Sequence, residues 1–205
     1  MRLWFAVVCC TATLAGCATT SNVAKDDDAT AFFPLAVGNR WTYHLSPGPA
    51  QPQQVQILKR DERGFYVDDH GGLLSARSDG VFDGRRFLLQ EPLVVDHSWS
   101  AQQLNQPLEH FRIAATDAVV TVPAGTFSSC IEVRGEQSTP AGAPEGKLLM
   151  TWTYARGVGL VRFEQQVQLG SEESQLVSTR YRAPKTTATM ELVSFAVQPD
   201  PAPTP

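Results

Sequence analysis

The chain is predicted to be all-β, an antiparallel meander of about ten short strands forming a curled sheet, a sandwich or an incomplete barrel. Three observations carry this expectation. Apolar residues recur with a period of two rather than 3.6 through most of the sequence. Each alternating run is short and bounded by Gly, Pro, Asp or Ser, the turn formers. No window offers a long amphipathic helix with caps.

The first segment, residues 1–16, is read apart from the fold. Arg2, an apolar stretch from Leu3 to Leu14 and the small residues Ala15 and Gly16 describe a secretory signal. The stretch is too short to span a bilayer, which takes roughly 20 residues. A retained transmembrane anchor, or ordinary cleavage that leaves a soluble periplasmic protein, are the alternatives. Leu14-Ala15-Gly16-Cys17 resembles the lipobox of bacterial lipoprotein signal peptides. That resemblance implies cleavage before Cys17, acylation of its thiol and new amino group, and a chain anchored to the membrane of the bacterial cell envelope. Ala18, rather than Asp, resembles the outer-membrane sorting signal, which implies the periplasmic face of the outer membrane in a Gram-negative source. Buried acyl chains contribute roughly 0.8 kcal/mol per methylene, so two or more hold a protein where one does not.

Residues 17–31 follow as a lipidated cysteine and a flexible tether, small and polar with no apolar period. Asp26, Asp27 and Asp28 invite a metal reading, but consecutive carboxylates on such a segment suit a solvated spacer. From Phe32 to Val197 the chain is long enough for one β-rich domain with a sizeable core. Residues 198–205 alternate Pro with small or polar residues and are expected to be extended and mobile.

Within the domain, strands are expected at Arg40–Leu45, Gln53–Lys59, Gly64–Asp68, Leu73–Arg77, Arg86–Gln90 and His110–Ala114. Others are expected at Ala118–Val122, Ser129–Arg134, Leu148–Tyr154, Leu160–Gln168 and Gln175–Arg182. Hairpin tips fall at Arg60–Gly64, Asp69–Gly72, Asp79-Gly80, Asp83-Gly84 and Gly170–Glu173. An internal echo, P-L-x-V-x-x-x-W, joins Pro34–Trp41 to Pro92–Trp99. It predicts two strands entering the core alike, each led by a proline turn and opening on a tryptophan whose indole N–H needs a partner. The sharper reading puts Trp41, Trp99 and Trp152 around a ligand cavity.

Three segments then carry a second resemblance. Phe33–Tyr43 (PLxxGxxWxY), Val122–Cys130 (VPAGTF) and Tyr154–Val161 (YxxGVGLV) resemble recurring motifs of a group of uncharacterised bacterial envelope lipoproteins. The resemblance spans nearly the whole domain and implies fold, not activity. The second copy of the echo has Asp96 where the first has Gly38. Pro123 and Gly125 explain VPAGTF as a strand, a small turn and a strand that returns Phe127 to the core, and Gly157 and Gly159 suit a tight reversal. No phosphate loop is present, since neither a following helix nor its lysine exists.

Charge and chemistry exclude several functions. Removing residues 1–16 takes only Arg2, leaving 16 basic against 21 acidic residues, a net charge of −5. With no basic cluster, nucleic acid is not an expected partner. Cys9 and Cys10 leave with the signal and Cys17 is modified, so Cys130 has no internal disulfide partner. Strand alternation puts Cys130 on the face opposite Phe127, Ser129, Ile131 and Val133, as a small packing residue without basic neighbours to activate it. His70, His97 and His110 each follow a carboxylate (Asp69, Asp96, Glu109), but strand neighbours face opposite ways and would not meet. Asp68 and His70 share a face, yet two ligands fall short of a zinc site. No H-E-x-x-H or G-x-S-x-G motif occurs. The expected function is therefore non-catalytic binding or scaffolding by a membrane-anchored lipoprotein, with no catalytic residue, no cofactor and no metal. Its expected partner is an envelope protein. The alternatives are a carrier or sensor of a lipid or other apolar molecule inside the curled sheet, and a cryptic hydrolase.

Overall fold

The structure, a computed structural model, describes residues 28–102, 104, 106–139, 146–169 and 187–198. Expectations for the signal, Cys17, most of the tether, the hairpin tip at Gly170–Glu173, the strand Gln175–Arg182 and residues 199–205 lie outside these residues.

One short helix, α1 (Ala29–Phe32), precedes the sheet. Asp28 caps it, its carboxylate accepting from Ala31 N at 3.1 Å. Ala29 and Phe32 are buried and Ala29 N donates to Glu91 Oε1 at 2.6 Å, so packing reaches back before Phe32. The remaining elements are strands: β1 (Arg40–Ser46), β2 (Gln53–Arg60), β3 (Tyr66–Asp68), β4 (Leu73–Arg77), β5 (Gly80–Phe82) and β6 (Phe87–Gln90). Then follow β7 (Ser98–Ala101), β8 (Glu109–Val122), β9 (Gly125–Ser138), β10 (Gly146–Ala155), β11 (Gly159–Leu169) and β12 (Thr187–Ala196).

All twelve belong to one antiparallel sheet in the order β6-β5-β4-β3-β2-β1-β12-β11-β10-β9-β8-β7. The expected all-β meander is thus a single barrel-like sheet rather than a sandwich. Its two edges, β6 and β7, are consecutive in the chain, and side chains join them. Trp99 Nε1 on β7 donates to Phe87 O on β6 at 3.1 Å, and beside them Arg86 Nη1, in the turn before β6, donates to Glu109 Oε2 on β8 at 2.6 Å.

Three differences from the sequence expectation bear on the topology. β5 occupies three residues between two Asp-Gly turn signals, too short for its alternation to stand out. The runs 110–114 and 118–122 are one strand, β8, interrupted by register shifts against β9 between Ile113 and Val120. β12 joins β1 to β11 and so links the two halves of the meander.

The echo is a structural repeat. Gly38 N donates to Ile57 O and Ile57 N to Asn39 O; Asp96 N donates to Ile113 O and Ile113 N to His97 O, all at 2.9 Å. Asn39 N→Ala36 O and His97 N→Val94 O, both 3.1 Å, complete the match. Gly38 has φ +95° and Asp96 φ +69°, so the turn needs the left-handed region at this position, which glycine takes freely and Asp tolerates.

The VPAGTF and YxxGVGLV segments are docking turns. The β8–β9 hairpin curls until Ala124 N donates to Leu192 O at 2.9 Å and Phe127 lies 6.2 Å from Phe195, while Arg162 Nη2 donates to Thr121 O at 2.5 Å. Val120 and Val122 are buried beneath the fold. Between β10 and β11, Val158 O accepts from Trp41 Nε1 at 2.6 Å. Gly159 has φ +109°, and a Cβ there would sit 3.3 Å from that same indole nitrogen.

Two buried phenols predict alkaline lability. Burial raises the Tyr43 hydroxyl well above the usual tyrosine range, with the neighbouring Tyr154 adding to it, and burial does the same to Tyr154. The folded state holds these protons more tightly than the unfolded one, whose phenols titrate near pH 10. The stabilisation is therefore full below about pH 10 and is lost as pH rises above it. Absorbance at 295 nm should show these two phenols ionising only together with unfolding. Their smooth ionisation in a chain with native circular dichroism would contradict the packing.

Candidate functional site

The tryptophans proposed to line a cavity sit in the core. Trp41, Trp99 and Trp152 are 3%, 8% and 7% exposed. Trp99 stacks on Phe111 at 5.5 Å, Phe111 meets Trp152 at 5.7 Å, and Trp152 meets Phe163 at 5.4 Å. The Arg86 guanidinium lies 5.3 Å from both the Phe111 and Trp152 rings. A Cβ on Gly135 would come 2.6 Å from Trp152 Cζ3, which shows how closely the ladder of rings packs on β9. Trp41 packs on Phe33 at 6.1 Å. Cavities described at the surface are lined by other residues.

Cys130 is buried, but not by the expected alternation. Ser129 takes φ +53° and the register against β8 shifts beside it, so Cys130 and Ile131 are both buried in succession. The expectation that Cys130 lies on the face opposite the apolar set is corrected by this bulge. Burial pushes its thiol above the ordinary cysteine value.

The histidine–carboxylate neighbours separate as strand geometry requires in one place and not in another. Glu109 turns inward to Arg86 while His110 faces outward, where Ser100 Oγ and His110 Nδ1 lie 2.9 Å apart. Asp96 pairs with Arg112. Asp69 and His70 do meet, at 2.9 Å, because β3 ends at Asp68 and both lie in the turn after it, where neighbours are free of the strand's alternation. Asp68, Asp69 and His70 bring three potential ligand atoms within 4.8 Å of one another. The carboxylates already have partners: Asp68 Oδ1 accepts from His70 N and Gly72 N in the turn, and Asp69 Oδ1 from Gln56 N on β2.

The concave feature best suited to binding lies on the outer face of β7–β11, away from the rings. It is an open groove of about 690 Å³, within the range of small-ligand sites. Strand register builds it from two rows of side chains. One row runs Ser98, Arg112, Arg134, Thr151, Glu164 through the pairs Ser98↔Arg112, Arg112↔Arg134, Arg134↔Thr151 and Thr151↔Glu164. The next runs His110, Glu136, Leu149, Gln166. Phe111, Gly135, Met150 and Gln165 lie between the rows, where alternation turns their side chains to the other face and leaves backbone as the floor.

Register also places Ser100, His110 and Glu136 in one line across β7, β8 and β9. The arrangement falls short of a hydrolytic triad. Glu136 binds Lys147 Nζ at 3.3 Å instead of the imidazole.

No protein-family profile matches the chain, and no curated protein matches it. Among solved structures it is similar to a candidate lipoprotein from Parabacteroides distasonis, at 15% identity, TM-score 0.41, over 82% of this chain and 100% of that one. It is also similar to a candidate exported protein with a YmcC-like fold from Bacteroides fragilis, at 13% identity, TM-score 0.37, over 80% and 98%.

Proposed function

We propose that the chain is a membrane-anchored envelope lipoprotein, held through acylated Cys17, with a non-catalytic binding role exercised on the outer face of its sheet. The observation that carries the anchor is the Leu14-Ala15-Gly16-Cys17 stretch at the end of a signal-like apolar run. The binding role is supported by where the large side chains go. Trp41, Trp99 and Trp152 are consumed by packing, which favours recognition at the surface over carriage of an apolar molecule inside. On this reading the periplasmic face of the outer membrane is the site of action in a Gram-negative host.

Detergent phase partitioning of the full chain, expressed with its own leader, tests the anchor. The wild type should enter the detergent phase, and Cys17→Ser should move it to the aqueous phase; identical partitioning of the two would defeat the proposal. Native mass spectrometry of the wild type released from its own envelope separates the two binding roles. A retained protein mass fits the proposal, whereas a retained apolar small molecule returns the carrier reading.

A further inference from the structure

We infer that the outer groove seats a short extended peptide with free termini, its carboxylate between Arg112 and Arg134 and its amino group at Glu164. The inference deepens the surface-binding reading and rests on it, but not on the anchor.

Arg112 and Arg134 stand directly opposite each other on β8 and β9, on one face and in one groove. Like charges in that position oppose sheet pairing unless something offsets them. Each has a carboxylate partner beside it: Asp96 at 2.5 Å from Arg112, and Glu132 at 2.8 Å from Arg134. The described bonds use one donor of Arg112 and two of Arg134, out of five per guanidinium. Two adjacent planar forks with donors to spare suit a carboxylate. At the far end of the same row, Glu164 is exposed and has no ion pair among the described residues. Asp96 and Glu132 match the two guanidinium charges, so one end of the groove offers spare guanidinium donors and the other the Glu164 carboxylate.

The spacing sets the size of the occupant. Arg134 and Glu164 are two strands apart, roughly 10 Å at the usual strand separation. An extended chain of three residues spans roughly the same distance. Thr151 lies between the two ends, where its hydroxyl can serve a peptide group. Other classes fit less well. Leu149 supplies the apolar side chain of the two rows, too little for an acyl chain, and among the described residues the ring in those rows is the His110 imidazole, held by Ser100, since Phe111 stacks on Trp99 inside. Glu136 and Glu164 repel a polyanion.

Isothermal titration of the full chain in detergent with tri-alanine tests this. Tri-alanine with free termini should bind, and its C-terminal amide should bind at least about tenfold more weakly, the loss expected for a charge-assisted bond. Arg112→Gln and Arg134→Gln should each weaken tri-alanine by a similar factor. Glu164→Gln should weaken tri-alanine but leave its N-acetyl form unchanged. Arg112 and Arg134 side chains are 50% and 60% exposed, so unchanged melting temperatures should show that these variants fold. Equal affinity for the amide, indifference to both arginine substitutions, or displacement by sulfate alone regardless of the amino terminus would overturn the inference. So would absence of binding at millimolar peptide. A protein partner found by native mass spectrometry under that last outcome would leave surface binding standing and remove only the peptide.

Discussion

Arg86→Met is expected to destabilise the fold by about 3 kcal/mol or more, because it strands the Glu109 carboxylate in the interior. The Arg86 and Glu109 side chains are 19% and 12% exposed and 2.6 Å apart. The same guanidinium pairs with Asp83 at 3.5 Å and covers the Phe111 and Trp152 rings. It also reaches from the turn before β6 to β8, so together with the Trp99–Phe87 bond it spans the seam between the two edges of the sheet. Urea unfolding measures the loss. The double variant Arg86→Met with Glu109→Leu should recover most of it, since an apolar pair of similar volume removes the uncompensated charge. A single variant within about 0.5 kcal/mol of wild type, the range of an ordinary surface substitution, would show that the pair does not hold the seam.

Trp41→Ala is expected to cost about 3–5 kcal/mol, the range for deleting a buried aromatic side chain. The indole is buried, and its N–H satisfies Val158 O at 2.6 Å in the turn between β10 and β11. Trp41→Phe should recover part of the packing and leave that carbonyl without its donor, for an intermediate loss of about 1–3 kcal/mol. Hydrogen exchange should localise the damage. Faster exchange at the β10–β11 turn in both variants supports the account, and an unchanged turn would mean that Trp41 merely fills space.

Much of the sheet could be read from residue order because its information is local. Trp41-Thr42-Tyr43 and Met150-Thr151-Trp152 alternate cleanly, and burial follows them along β1 and as far as Trp152 on β10, beyond which Thr153, Tyr154 and Ala155 are all buried. The echo between Pro34–Trp41 and Pro92–Trp99 was legible for the same reason, and the structure adds why Asp96 can replace a glycine: both take a positive φ. Where non-local pairing decides, the reading failed. Ser129 looks like one more position in an alternating run, and only the shifted register against β8 shows that it breaks the alternation and buries Cys130. β5 owes its existence to β4 and β6 on either side rather than to its three residues.

The groove illustrates the limit more sharply. Arg112 and Arg134 are ordinary charges in the sequence: Glu132 lies two residues from Arg134, while Asp96 reaches Arg112 from 16 residues away. They become a pair only when β8 and β9 are placed in register, and Glu164 joins their row only through Thr151 on β10. The tryptophans suggested the opposite site. Large rings point to cavities and to cores with equal force, and the close approach of Trp152 to Gly135 answers for the core at that point.

The anchor is the central claim, and intact-mass measurement of the mature chain isolated from its own membranes tests it most directly. The expected polypeptide begins at Cys17, with the mass of acyl chains on the thiol and on the amino group of that residue. A chain beginning elsewhere, or one beginning at Cys17 with a free thiol, would contradict it.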